Sequence, residues 1–309
     1  MEILSIAHSD LIINIYDNIY EAENQWNIKN YLPVLLSMDY LKGLEKAKPL
    51  GLKTLYGICL RKGETLALFH LQVISFDAEK RLYHQIETGV ASTLSDKIAL
   101  AIKLFIARKV KLQGAIIGNL LTAGPFGIVF HENMNSQECG ALIVEMCNAL
   151  LQQSATLKDV QIIVLKDIDP ERRILEFDCK KYQRLNEFTI QPSMRIMMRK
   201  HWNTMDDYLE DLESKYRTKI KRAIRLGAPL IVKEVSYEEI LENEEHLFSL
   251  YQEVAESAGF NLIELNKSYL STIKNAVPEF FKVKLIYHDQ SLVGFYTYFL
   301  EFDVLNAHF

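Results

Sequence analysis

Two pairs of apolar runs, each closed by a polar turn, constrain this chain more than any other feature. Thr54–Leu60 and Thr65–Val73 flank Arg61-Lys62-Gly63-Glu64, which puts a glycine where positive φ is needed. Phe281–His288 and Leu292–Leu300 flank the turn at His288-Asp289-Gln290-Ser291. Apolar runs of strand length on either side of such turns read as β-hairpins. One hairpin lies early in the chain and the other at its end, so each half carries its own sheet.

Helical and strand-like segments interleave around the first hairpin. Trp26, Ile28, Tyr31, Leu32, Leu35, Leu36, Tyr40, Leu41 and Leu44 recur three or four apart, which predicts a helix from Trp26 to Lys46. A second helix is expected over Ser95–Val110, a strand over Ala115–Thr122, and a helix over Asn135–Gln152 with Ser136 as N-cap. Val160–Leu165 is apolar except for Gln161 and reads as a buried strand. A boundary is expected near Gln191-Pro192-Ser193, after which the pattern restarts. The second round is a helix (Thr204–Leu226), a strand (Pro229–Val235), two helices (Tyr237–Ala258 and Lys267–Asn275), the second hairpin and a strand from Val304 onward. This predicts an α/β (α+β) protein of two related domains, 1–192 and 193–309, and 309 residues suit two domains of ordinary size.

Composition narrows the function classes. Apolar residues make up 49% and charged residues 24%, a globular balance. The net charge of −5 gives no global attraction to nucleic acid or an anionic membrane, so any such binding is local. Cys59, Cys139, Cys147 and Cys179 form no CxxC pair and no metal-ligand cluster with histidines, which predicts free thiols in a reducing compartment and no metal. No apolar run is long enough to span a bilayer and the start of the chain lacks a secretory pattern, so a cytoplasmic location is expected. The sequence contains no HExxH, no GxxxxGK[ST], no GxGxxG and no Ser-His-Asp arrangement.

One stretch breaks the acidic trend. SKYRTKIKRAIRLG (214–227) holds six cations, Lys215, Arg217, Lys219, Lys221, Arg222 and Arg225, and no acid. Two readings meet here. Acids at 206–213, bases after them and Gly227 at the end complement a helix macrodipole and C-cap, with Asp211–Lys215 and Glu213–Arg217 as supporting pairs. Tyr208, Leu212, Tyr216, Ile220 and Ile224 would then form an inward stripe. Yet six cations beginning three turns before the end exceed what the dipole needs. The excess fits an anionic ligand such as the phosphates of a nucleotide, a coenzyme or RNA.

LESKYRTKIKRAIRLGAPLIVKEV, then FSLYQEVAESAGFNL, a YLSTIK helix and VKLIYHDQSLVGFYTYFLEFDVLNAHF, resemble the FemAB-like branch of the GNAT acyltransferase superfamily. Upstream, LLTAGPFGIVFHENMNSQE and VQIIVLKDIDP look like the first of two tandem GNAT-like domains. The resemblance covers nearly all of the chain and implies transfer of an acyl group from an activated thioester to an amine, on an envelope or lipid precursor. The helical-hairpin arm of aminoacyl-tRNA-using members has no counterpart between 258 and 267, which points to acyl-CoA as cosubstrate rather than tRNA. The family pattern continues beyond the equivalent of Phe309, so the resemblance implies an incomplete second domain with Leu292–Phe309 as an unclosed sheet edge and a possible homodimer covering it.

Acyl transfer needs a cradle for the donor's pyrophosphate, an N–H for the oxyanion and a base. In GNAT folds the cradle lies between a strand and the following helix. Gly124, Phe126 and Gly127, around Pro125, occupy that place, although Gly and Pro are equally ordinary turn residues. His131, Glu132 and Asp167, with Lys166, are the candidate catalytic groups, or else charged surface positions; His201 beside Trp202 reads as an interdomain packing residue. Lys215, Arg217, Lys219, Lys221 and Arg222 are the candidate anion-binding set. The competing expectations are a GNAT-like module that binds an anionic ligand without catalysis, and direct RNA binding through the basic helix. Peripheral membrane contact stays open as well.

Overall fold

The computed structural model describes residues 1–6, 9–28, 31–77, 111–168, 185–188, 194–258, 261 and 263–309. A mixed sheet is built from β1 (Glu2–Ile6), β2 (Leu11–Tyr16), β3 (Lys53–Arg61), β4 (Glu64–Asp77), β5 (Lys111–Ile117), β6 (Ile128–Phe130) and β7 (Val160–Leu165). Its order is β1-β2-β3-β4-β5-β7, with β6 also on β4; only β5 and β7 run parallel. The expected β3–β4 hairpin forms through Lys62 (φ 53°) and Gly63 (φ 83°), a left-handed pair that matches strand twist. The β1–β2 hairpin has no counterpart in the sequence reading. β4 forks: Ala67–Phe69 pair with β6 while Leu71–Asp77 pair with β5. At the fork, His70 N–H donates to the Gly127 carbonyl (2.8 Å).

The second sheet is antiparallel throughout, in the order β11 (Val304–Ala307), β10 (Ser291–Glu301), β9 (Phe281–His288), β8 (Ile231–Glu234). Its central hairpin turns on Asp289 (φ 46°) and Gln290 (φ 68°). The described helices are α1 (Ile19–Ala22), α2 (Met38–Ala47), α3 (Ser136–Gln153), α4 (Met205–Glu210), α5 (Ser214–Gly227), α6 (Tyr237–Glu242), α7 (Glu244–Ser257) and α8 (Tyr269–Ala276). This is the α+β architecture with two sheets that the interleaved pattern predicts.

One buried apolar cluster draws on both sheets, joining Tyr40, Leu44 and Tyr56 to Tyr269, Ile273, Phe281 and Phe299. Its seam is α2 against α8, packed so closely that a Cβ on Gly43 would lie 2.6 Å from Ala276 Cβ. The second cluster sits beneath α3 and contains Cys59, Phe69, Cys139, Leu142 and Met146. Cys59, Cys139 and Cys147 are free thiols, and burial pushes Cys139 up to about 11 and Cys147 to about 12.

Several boundaries differ from expectation for local reasons. The Trp26–Lys46 helix shortens to α2 because Pro33 opens a 3-10 turn at Val34–Leu36, and Ser37 then caps α2 by accepting from Tyr40 N–H. Asn135, not Ser136, is the N-cap of α3, forming a reciprocal capping box with Glu138. Tyr237–Ala258 divides at Asn243, whose side chain donates to Glu239 O (2.8 Å). β7 is an edge strand, so Val160 is buried but Ile162 is exposed, correcting the expectation of a buried strand. The expected Ser95–Val110 helix, the boundary at Gln191–Ser193 and Cys179 lie outside the described residues.

Candidate functional site

The loop from Gly118 to Gly127 leaves the end of β5 and returns through β6. Gly127 passes so near the chain that a Cβ would meet Gly118 N at 2.4 Å, and no side chain can shift to make room. Gly124 has φ +124° and a Cβ there would strike the Phe126 ring at 2.3 Å, so both positions require glycine. Asp167, itself left-handed at φ 56°, accepts from Gly124 N–H (2.8 Å) and pairs with Lys166. The Lys166 ammonium also donates to Thr122 O (2.9 Å). A carboxylate therefore already satisfies the Gly124 N–H where a phosphate would sit. The loop leads into β6 rather than a helix, and the α3 N-terminus beyond is closed by its own Asn135–Glu138 box.

His131 and Glu132 follow the far end of β6. His131 Nδ1 accepts from Asn133 N–H (3.3 Å), and His131 N–H donates to Leu66 O (2.8 Å). The structure thus brings Gly124, Phe126, Gly127 and Asp167 together and leaves His131 and Glu132 a strand's length away.

Beneath the loop lies a polar group that sequence reasoning did not single out. His70 is fully buried, its ring stacked on Tyr56 (5.5 Å, 9°), and neither ring nitrogen has a partner. Burial holds it at about 3, so it is neutral. Gln72 accepts from Leu120 N–H (2.7 Å), and its amide nitrogen, like Thr122 Oγ1, is buried without a partner. Asn119 donates to Tyr40 OH (2.9 Å), which also hydrogen-bonds with Tyr269 OH. Tyr269 OH meets His308 Nε2 (3.0 Å), and His308 Nδ1 meets Thr297 Oγ1 (2.9 Å). Desolvation raises Tyr40 to about 12 and lowers His308 to about 3. A chain of hydrogen bonds therefore crosses the shared core from the loop to β10. Its signal in the sequence was phase: in LALFHLQV, His70 and Gln72 fall in step with inward Leu68.

The basic segment forms α5, but α4 and α5 replace the single helix expected over Thr204–Leu226. Thr204 and Asp207 box the α4 N-terminus, and Glu213 restarts the helix with extended ψ 144°. Asp211 does not pair with Lys215. Its Oδ2 accepts from Trp202 Nε1 (2.6 Å), His201 Nε2 (2.7 Å) and Arg199 Nη1 (3.0 Å); the first two bonds, helped by the Arg199 charge, hold its carboxyl below the usual range. His201 is thus an exposed hydrogen-bond partner rather than an interdomain packing residue.

Arg217 does not pair with Glu213 either. Its guanidinium donates to the carbonyls of Glu210 (3.1 Å) and Leu212 (2.9 Å), capping the end of α4. The expected inward stripe fails as well: α5 buries no residue, and Tyr216 and Ile224 are 51% and 50% exposed. Lys215, Lys219, Lys221, Arg222 and Arg225 stand on this helix, and none is within ion-pair distance of a carboxylate among the described residues.

No group of three or more His, Cys, Asp or Glu could hold a metal ion among the described residues, and no described helix is long and apolar enough to cross a membrane. No family model matches the chain, and no curated protein matches it. Among solved structures it is similar to FemX, at 13% identity and a TM-score of 0.38, a distant likeness that covers 94% of this chain and 58% of that one. The chain thus spans a little over half the length of that protein.

Proposed function

We propose that the chain is an acyltransferase that moves an acyl group from acyl-CoA, or a similar activated donor, to an amine of a phosphate-bearing envelope or lipid precursor. The reaction class rests on the resemblance of the 214–227 segment and its neighbours to FemAB-like sequences. The supporting observation is the row of cations on α5: Lys215, Lys219, Lys221, Arg222 and Arg225 have no carboxylate within ion-pair distance among the described residues, yet cluster on fourteen residues of an acidic chain. Five cations without carboxylate partners among the described residues are suited to a diphosphate. Arg217 drops out of the binding set because its guanidinium is spent on α4.

Calorimetry with acetyl-CoA and longer acyl-CoAs, paired with an assay for amide formation on amine acceptors, tests this reading. Binding and turnover are expected, and Lys219→Glu with Lys221→Glu should weaken binding of donor or acceptor at least tenfold, since charge-assisted contacts are individually worth a factor of ten or so. Failure of every CoA species to bind would remove the donor assignment.

A second reading has its own support. The Gly124 N–H is occupied by Asp167, which is also paired with Lys166, and His70 and His308 are enclosed and neutral, so neither histidine can act as an exposed base beside the loop. A module that binds an anionic ligand without catalysis would show binding and no turnover in the same assay.

A further inference from the structure

We propose that α5 is a docking surface for an anionic lipid bilayer. The inference does not depend on the transferase reading; it stands on the face of α5 that the cations do not use. At 100° per residue, Tyr216, Ile220, Ala223 and Ile224 share one arc of about a third of the helix circumference, and Arg217 and Lys219 flank it. An arc like this on a globular protein is ordinarily covered by a core, as in α2. Here it is half in solvent, and Leu226, at the helix end, is 65% exposed.

The exposure continues past the helix. Ile231, on the first residue of edge strand β8, is 66% exposed. Ahead of the helix, Met194, Ile196, Met197 and Met198 are exposed in a segment without regular secondary structure, and the residues that follow it, Arg199, His201 and Trp202, bond to Asp211 at the α4–α5 junction. On α5 itself the exposed arc is flanked by cations and by no acid, and an exposed apolar patch rimmed by charge marks a contact surface.

Charge selects the occupant. A helix with an apolar arc and flanking lysines lies flat in a membrane interface, its apolar side chains among the acyl chains and its long cationic stems reaching anionic headgroups. The helix is about 21 Å long, enough for several headgroups. A second copy docked through the same face would set six cations against six, and that repulsion disfavours it. RNA would use the cations but leave Ile220, Ile224 and Leu226 wet, since aliphatic side chains offer no stacking surface. A bilayer with anionic lipid uses both faces.

The test is co-sedimentation of the full chain with vesicles of phosphatidylcholine alone and with vesicles rich in phosphatidylglycerol. The expected result is pelleting with the phosphatidylglycerol vesicles only, weakening as salt rises. Lys219→Glu with Lys221→Glu should lower the partition coefficient by roughly tenfold or more. Tyr216→Ser with Ile224→Ser should do the same while leaving the circular dichroism spectrum and melting temperature near those of the parent. If that pair disturbs folding, Ile224→Ser alone serves.

No pelleting with phosphatidylglycerol vesicles overturns the proposal. So does pelleting that the apolar variants leave unchanged, because cations alone would then explain it. A loss of dimer mass in light scattering, or of binding to a single-stranded RNA, in place of a loss of vesicle binding would assign the face to a second copy or to RNA and overturn it too. The vesicles contain no acyl donor and no amine acceptor. A negative result here leaves the transferase reading untouched, and failure of acyl-CoA to bind leaves this one untouched.

Discussion

Helices α2 and α5 are both amphipathic, and the structure uses them in opposite ways. α2 buries Tyr40, Leu41, Gly43, Leu44 and Ala47, presses Gly43 against Ala276 and sends the Tyr40 hydroxyl into the polar chain that crosses the core. α5 buries nothing. The apolar spacing of each predicts a helix with one greasy face; neither spacing says what covers that face. α2 has α8 across from it because the chain returns there after more than two hundred residues, and Asn266 secures the seam by donating to Ala47 O. For α5 the described residues supply no such element. The free energy of an amphipathic face therefore goes to the fold in one case and is left for a partner in the other.

The sharpest way to break this contrast is to truncate one residue from each stripe. Leu44→Ala should cost about 3 kcal/mol in unfolding free energy, as a fully buried leucine in a packed seam does, whereas half-exposed Ile224→Ala should cost less than about 0.5 kcal/mol. Urea unfolding of the two variants checks it. A comparable loss at Ile224 would mean that α5 is covered in solution and the contrast is false.

A second test exploits the acid sensitivity that belongs to the α2 side of the molecule. His70 titrates at about 3 when folded, below its ordinary 6.5, so the unfolded chain takes up the proton first and stability falls as pH drops from 6.5 towards 3. At pH 4.5 this loss reaches at most about 2–3 kcal/mol. His308 acts in the same direction. His70→Phe, which removes two unpartnered buried nitrogens, should flatten the acid limb of a stability-against-pH curve. An unchanged slope would show that His70 is solvated.

The smallest effect separates cations within α5 itself. Arg217→Ala should cost about 1 kcal/mol by uncapping the Glu210 and Leu212 carbonyls, while Lys221→Ala should be neutral within about 0.5 kcal/mol. Thermal melts of both variants distinguish them. Equal effects would return Arg217 to the ligand-binding row.

Much of the fold was legible before the structure. The two hairpins, the β7 strand, the helix after the glycine loop and the α+β class all follow from side-chain period and turn residues, which act within a few positions of one another. Caps were legible less well. Asn135 and Ser136 are both good N-caps, and only the reciprocal bond with Glu138 decides between them. Of the candidate site, the glycines were readable as glycines, but not the company they keep: that Asp167 takes the Gly124 N–H depends on β5 and β7 lying side by side.

By itself the sequence determined the two long hairpins, the α3 helix and the β7 strand, because propensity, alternation and turn chemistry are local properties, but it did not show β1 and β2 or the breaks within the longer helices. It also determined that 214–227 is helical, with an apolar stripe flanked by cations, although it ran that helix on from Thr204. Only the tertiary structure decided which apolar faces meet, that Arg217 caps α4 while its neighbours meet no carboxylate among the described residues, that Asn119, Tyr40, Tyr269, His308 and Thr297 fall into one buried polar chain, and that His70 is enclosed beside Tyr56 without a partner. Those outcomes depend on how elements pack: Arg217 reaches back only to Glu210 and Leu212, but it does so because the chain bends between α4 and α5, and Tyr40 meets Tyr269 only because α2 and α8 are brought together. Burial and partnership are properties of such contacts, and no spacing along the chain encodes them.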